Sequence, residues 1–118
     1  MLNLSGKVVL VTGGSQGLGS VICKQLLASG AKVILHYNQN EKSAKYLRKE
    51  INGNIEIIKA NLNKKSEIKK LISKSIKFYG PISVLVNCAA FGSKKVSEFS
   101  KYLKVYGIKL RKLTYWHL

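Results

Sequence analysis

The residues Thr12-Gly13-Gly14-Ser15-Gln16-Gly17-Leu18-Gly19 have types and a spacing that could do chemistry. They follow the apolar run Lys7-Val8-Val9-Leu10-Val11, so the pattern reads as strand, tight turn and helix N-terminus. Glycines let a backbone approach a pyrophosphate closely. The unpaired N–H groups and positive dipole end of the following helix favour its negative charge. The chemistry implied is dinucleotide binding. The other reactive side chains form no comparable cluster. Cys23 and Cys88 fall in a predicted helix and a predicted buried strand, match no metal-ligand spacing, and read as reduced, buried thiols. His36 and His117 stand at no ligand spacing from them, so no metal is expected.

The elements that would position the glycine turn alternate. Lys7 to Val11 is a buried strand by length and β-branching. From Gly17, the apolar positions Leu18, Val21, Ile22 and Leu26 repeat at helical spacing, and Gly30 is the stop. Lys32 to Tyr37 is a second buried strand. Asn38-Gln39-Asn40 supplies an N-cap for a helix through Ala44, Leu47 and Ile51, which Asn52-Gly53-Asn54 breaks. Ile55, Ile57 and Ile58 mark a third strand. The next helix has Ile68, Leu71, Ile72 and Ile76 inside and Lys65, Lys69, Lys70 and Lys74 on a solvated outer face; Gly80-Pro81 stops it before a fourth strand, Ile82 to Asn87. Strands alternating with helices over short connections predict an α/β, partial doubly wound Rossmann fold. The expectation is four parallel strands in the order 3-2-1-4 with flanking helices. Ligands bind beyond the carboxyl ends of the strands where the order reverses. There the glycine turn and Asn87-Cys88-Ala89-Ala90 would face each other across one crevice.

With 118 residues, the chain has length for one domain and a modest core. A hydrophobic content of 46% and a mean hydropathy near zero suit a soluble protein. No apolar run approaches the roughly 20 residues that span a membrane. The N-terminal residues lack the form of a secretory signal, so no membrane partner and a cytoplasmic location are expected. The net charge of +16 raises nucleic-acid binding as a function. The excess is mainly lysine, however, with very little arginine for bidentate base or phosphate contacts. Specific nucleic-acid recognition is therefore not expected, and non-specific adhesion to polyanions at low salt is.

Gly13, Gly17 and Gly19 fit T-G-x-x-x-G-x-G, and on this motif the sequence resembles the short-chain dehydrogenase/reductase family, in particular its 3-oxoacyl reductase-like members. The resemblance runs from about Leu4 to about Ser100 and includes Val86-Asn87-Cys88-Ala89-Ala90, similar to the family's V-N-N-A-G. It implies a cofactor site of Gly13, Gly14, Ser15, Gln16, Gly17, Leu18, Gly19, Tyr37, Asn61, Leu62, Asn87 and Ala89. In that reading Asn87 steadies the central sheet and borders the cofactor, and Asn61-Leu62 contacts the adenine. Cys88 and Ala90 depart from the family pattern. An acid at the end of the second strand would bind a ribose 2′-OH and repel a 2′-phosphate. Tyr37 holds that place with no acid within three residues, so the cofactor is NADP or NAD with the lean to NADP, and Lys42 is a candidate helper.

The resemblance also implies a Tyr with a Lys four residues later, and a nearby Ser, for proton transfer. No tyrosine here is followed at that spacing by lysine, so no catalytic residue is assigned. Residues 1–100 are expected to form the NAD(P)-binding half-domain, with 101–118 a divergent basic tail. Val96, Phe99, Leu103, Tyr106 and Leu110 would build a helix stump there. The sequence thus predicts a truncated reductase whose reading frame changed near Ser100, with its fourth strand left as an open, aggregation-prone sheet edge. Its lineage is NAD(P)-dependent interconversion of carbonyl and hydroxyl groups on a small ketone. The alternatives are a non-catalytic module completing a separately encoded C-terminal fragment, and a basic nucleic-acid-associated protein.

Overall fold

Strand β1, Val8–Thr12, is buried along its whole length, and the rest of the sheet is laid out from it. A computed structural model describes residues 3–14, 17–88 and 113–115. The chain continues through α1 (Gly17–Ala28), β2 (Lys32–Tyr37), α2 (Glu41–Glu50), β3 (Ile55–Lys59), α3 (Lys65–Tyr79) and β4 (Val84–Asn87), and β5 is Leu113–Tyr115. The strands form one sheet in the order β3-β2-β1-β4-β5, with every pair parallel. The expected order 3-2-1-4 is present.

Side chains alternate across a strand, so each strand feeds two cores. On one face Leu10, Ile34, Ile58 and Leu85 pack with Ile68, Leu71 and Ile72 of α3. On the other, Val9, Val11, Val33, Leu35 and Val86 pack with Cys23 and Leu27 of α1 and Ala44 and Leu47 of α2. Burial on both faces is why the strands read as nearly unbroken β-branched runs. It also explains the reversal of strand order: α1 and α2 cover one face on the way out from β1, and α3 returns across the other. Helix α1 closes with Gly30 at φ 92°, its N–H donating to the Leu27 carbonyl, and Gly80 at φ 85° donates to Ile76 after α3. Both have a positive φ that glycine adopts without steric cost.

Three expectations change. Helix α1 does not present Val21 inward: Val21 is 53% exposed, while Gly19, Cys23 and Leu27 are buried and Ile22 and Leu26 half-buried. The inward face has turned toward the small residues because α1 packs close against the glycine turn. Asn40 sits at the N-cap of α2, yet its side chain makes no capping bond; only its carbonyl is used, by the Ala44 N–H. The outer edge of β4 is not open. Leu113–Tyr115 pairs with it, Leu85 opposite Leu113 and Asn87 opposite Tyr115, which removes the stated cause of aggregation. The helix expected from Val96 to Leu110 lies outside the described residues.

The turned face of α1 has a measurable consequence. Leu27→Ala should cost about 2–5 kcal/mol of unfolding free energy, because the cavity opens inside a core. Val21→Ala should fall within about 0.5 kcal/mol of the parent in urea denaturation. Equal losses at the two positions would refute the turned face.

Candidate functional site

All strands being parallel, their carboxyl ends emerge together, and those of β1 and β4 are adjacent at the reversal of strand order. Thr12 and Asn87 are paired in register there. Both are buried, and the Thr12 hydroxyl donates to Asn87 Oδ1 at 2.5 Å, while the Cys88 N–H donates to the Thr12 carbonyl at 3.0 Å. Asn87 thus ties β4 to β1 where the two strands end.

The chain leaves β1 through Gly13 at φ 64°, and α1 begins at Gly17 with φ 54°. Side chains rarely adopt this backbone, which accounts for two motif glycines. Gly19 has a different reason: a Cβ there would lie 2.6 Å from the Gly13 carbonyl oxygen and 2.7 Å from Gly14 Cα. The first turn of α1 is pressed onto the turn that precedes it, and only a residue without a side chain fits. Gly14 is buried against the same helix, with the space of its absent Cβ bounded by Cys23 Sγ and Val11 Cγ1 at 3.1 Å. The first turn of α1 carries no acidic residue, so its dipole and terminal N–H groups meet no built-in counter-charge. A bound anion would supply one.

Two N–H groups of the turn are already engaged. Gly13 donates to His36 Nδ1 at 3.1 Å and Gly14 to the His36 carbonyl at 3.2 Å. His36 Nε2 lies 2.8 Å from the Ala60 carbonyl oxygen. With Nδ1 accepting, the ring proton belongs on Nε2, donated to Ala60. Burial lowers the His36 pKa below its ordinary value, and the bond to Ala60 opposes that shift only in part. As a sequence, His36 presents itself only as a candidate metal ligand, and this role is not among its expectations. The available signal was a lone titratable residue inside an apolar strand.

The other expected positions divide. Tyr37, at the end of β2, is buried in the core beneath α1 and α2, and its carbonyl accepts the Ala60 N–H at 3.0 Å. Asn61 follows directly; its N–H donates to Glu67 Oε1 at 2.9 Å and its Oδ1 accepts from the Asn63 N–H at 3.0 Å. Leu62 is buried in the core beneath α3. Lys42 lines an outer groove between α2 and β3 together with Tyr46 and Ile57. Ser15, Gln16 and Ala89 lie outside the described residues, as does the side chain of Leu18. Two tyrosines outside the crevice are not activated as acids: the Glu50 hydrogen bond and charge raise the Tyr46 pKa, and burial, with the Glu56 charge, raises that of Tyr79. The thiols also differ from expectation, since Cys23 is buried but Cys88 only half-buried.

Residues 7–105 match a family model described as short chain dehydrogenase. An uncharacterized oxidoreductase of Staphylococcus haemolyticus is 33% identical over 101 residues, which are 84% of this chain and 43% of that protein. A hydroxynaphthalene reductase-like protein of Metarhizium robertsii is 34% identical over 88 residues, 72% of this chain and 33% of its own. Among solved structures, a short-chain dehydrogenase/reductase from Serratia marcescens superimposes with a TM-score of 0.79 at 24% identity, over 86% of this chain and 51% of that one. A blue fluorescent protein from a metagenomic library, in complex with NADPH, gives a TM-score of 0.71 at 28% identity, over 88% and 47%. The chain therefore spans about half the length of the structures it resembles, and less than half of those curated relatives.

The thiols give a direct check on the packing beneath the turn. Burial, with the charge of Cys88 second, pushes the Cys23 pKa up to about 12, so almost no thiolate forms near neutrality. Ellman's reagent at neutral pH should titrate Cys88 first and Cys23 only on unfolding. Equal native-state rates would show that α1 does not seal the turn.

Proposed function

This chain belongs to the short chain dehydrogenase family of oxidoreductases, and we propose that it holds the pyrophosphate of NADP at the N-terminus of α1. The observation that carries this reading is the contact at Gly19, whose absent Cβ would stand 2.6 Å from the Gly13 carbonyl. That contact brings a helix N-terminus free of acidic residues onto a turn at the reversal of strand order. Gly13 and Gly14 spend their N–H groups on His36, so in this reading the first turn of α1 supplies donors to the anion in their place.

In this reading Asn87 borders the nicotinamide side of the crevice and Asn61 the adenine side, Leu62 supporting the loop from within the core. Ser15, Gln16, Leu18 and Ala89 complete the wall by family resemblance. The choice of NADP over NAD is supported by the absence of acid within three residues of Tyr37, which leaves nothing to repel a 2′-phosphate. The NADPH complex of one structural neighbour agrees with it. Bound NADP supplies or accepts a hydride at its nicotinamide ring. The residues of this chain bind and orient it; none is assigned a proton transfer. The reaction proposed for the whole protein is interconversion of a carbonyl and a hydroxyl group on a small ketone, in a cytoplasmic setting that keeps Cys23 and Cys88 reduced. No helix among the described residues is long and apolar enough to cross a membrane.

Titration of the purified chain with NADPH and NADH, followed by nicotinamide fluorescence, tests the proposal. NADPH should bind more tightly, and Gly19→Ala should weaken it by about tenfold or more, a loss of roughly 1.4 kcal/mol. Tighter binding of NADH would overturn the cofactor choice. Failure of both dinucleotides to bind would overturn the site.

A further inference from the structure

His36 is the one polar side chain within β2 after its first residue that lies deep in the sheet, and it is 2% exposed. Its ring joins two segments that no strand pairing connects. Nδ1 accepts the Gly13 N–H from the turn after β1, and Nε2 meets the carbonyl of Ala60, the residue before Asn61. Its own carbonyl accepts the Gly14 N–H. Three bonds of one residue thus set the spacing between the pyrophosphate turn and the loop that follows β3.

We propose that His36 is a positioning residue for dinucleotide binding, its neutral imidazole locking the Gly13 turn to the Ala60 end of β3. The inference rests on the proposed cofactor site, because it assigns His36 the task of holding the two ends of that site in register. Only one protonation state can do this. A neutral ring with its proton on Nε2 accepts at one nitrogen and donates at the other. An imidazolium would present Nδ1–H to the Gly13 N–H, donor against donor, and would place a charge in a buried site. The turn would then have to move away.

The titratable groups on the elements packed around this junction do not replace either partner. Glu67 on α3 accepts the Asn61 N–H, Lys59 on β3 is exposed, and the Cys23 thiol on α1 lies 4.0 Å from the Gly14 carbonyl. Tyr37, next to His36, faces the opposite core. Burial lowers the His36 pKa below its ordinary value, which favours the neutral ring that the two bonds require.

The variants separate the two bonds. His36→Asn retains an acceptor near Gly13 but cannot titrate, whereas His36→Leu removes both partners. The full chain is titrated calorimetrically with NADP⁺ between about pH 8 and about pH 4, a range that extends well below the ordinary histidine pKa because burial lowers that of His36. At the upper pH both variants should bind more weakly than the parent, His36→Leu by about tenfold or more and His36→Asn, which loses only the Ala60 bond, by less. Toward the lower pH the parent should lose affinity relative to His36→Asn, and the comparison cancels the titration of the cofactor's own phosphate. Two-dimensional ¹⁵N spectra of the imidazole, recorded without cofactor, should show the Nε2–H tautomer.

Equal affinities of the parent and His36→Leu would overturn the inference alone. So would an acid dependence of His36→Asn identical to the parent's, which also decides the matter if the leucine variant does not fold. A parent that binds no dinucleotide at any pH overturns the cofactor site, and this inference with it.

Discussion

The structure depends on the double burial of β1. Leu10 faces one core and Val9 and Val11 the other, and the strand pairs with β2 on one side and β4 on the other. A strand enclosed in this way has no freedom to slip, because a shift of one residue would exchange its two apolar faces. Its end is therefore fixed, and so is the start of the glycine turn. The Thr12–Asn87 bond adds a polar lock at the last paired residue. It satisfies two buried side chains together, where either alone would carry a desolvation cost of about 1–3 kcal/mol.

From that fixed end, backbone accounting shapes the site more than side-chain chemistry does. Buried N–H groups need partners. The turn is too tight for Gly13 and Gly14 to pair as strand residues, and His36 receives both. Helix α1 then closes over the turn because Gly19 offers no Cβ to keep it away. The two kinds of glycine are not interchangeable. At Gly13 and Gly17 the requirement is a positive φ, whereas at Gly19 it is empty space. A motif read as three equivalent glycines conceals this division.

The sheet order, the helices and the meeting of the turn with Asn87 were legible in the sequence because each rests on a repeated signal. The β-branched runs mark doubly buried strands, and Ile68, Leu71 and Ile72 fall on the inner face of α3 as their spacing predicts. The inner face of α1 was not legible. Hydrophobic periodicity favours Val21, but the real contact is made by Gly19 and Cys23, and close approach rewards small residues that such a pattern ignores. His36 was missed for a similar reason: its partners are backbone groups far away in sequence, which no spacing rule reveals. The strand Leu113–Tyr115 was hidden in a lysine-rich segment, since three residues carry too little pattern to announce a non-local pairing.

The distribution of charge follows from the same architecture. Both faces of the sheet are occupied by apolar contacts, so among the described residues most lysines stand on the outer faces of α2 and α3, with Lys24 exposed on α1 and Lys59 on β3, the edge strand. Among the described residues, Glu41, Glu56 and Glu67 pair with Lys45, Arg48 and Lys64 at 3.2, 3.8 and 3.9 Å. Such exposed pairs contribute about 0–1 kcal/mol each, so they decorate the fold without determining it. The uncompensated charge acts at the exposed edge instead. Lys59, Lys74 and Lys77 line the groove beside Phe78, so a second chain approaching β3 meets positive charge before it meets open hydrogen-bonding groups. With β5 paired on β4, the sheet limits its edges by two means, a short added strand at one side and lysine at the other. The β1–β4 junction, where the cofactor site is proposed, is held inside the sheet, away from either edge.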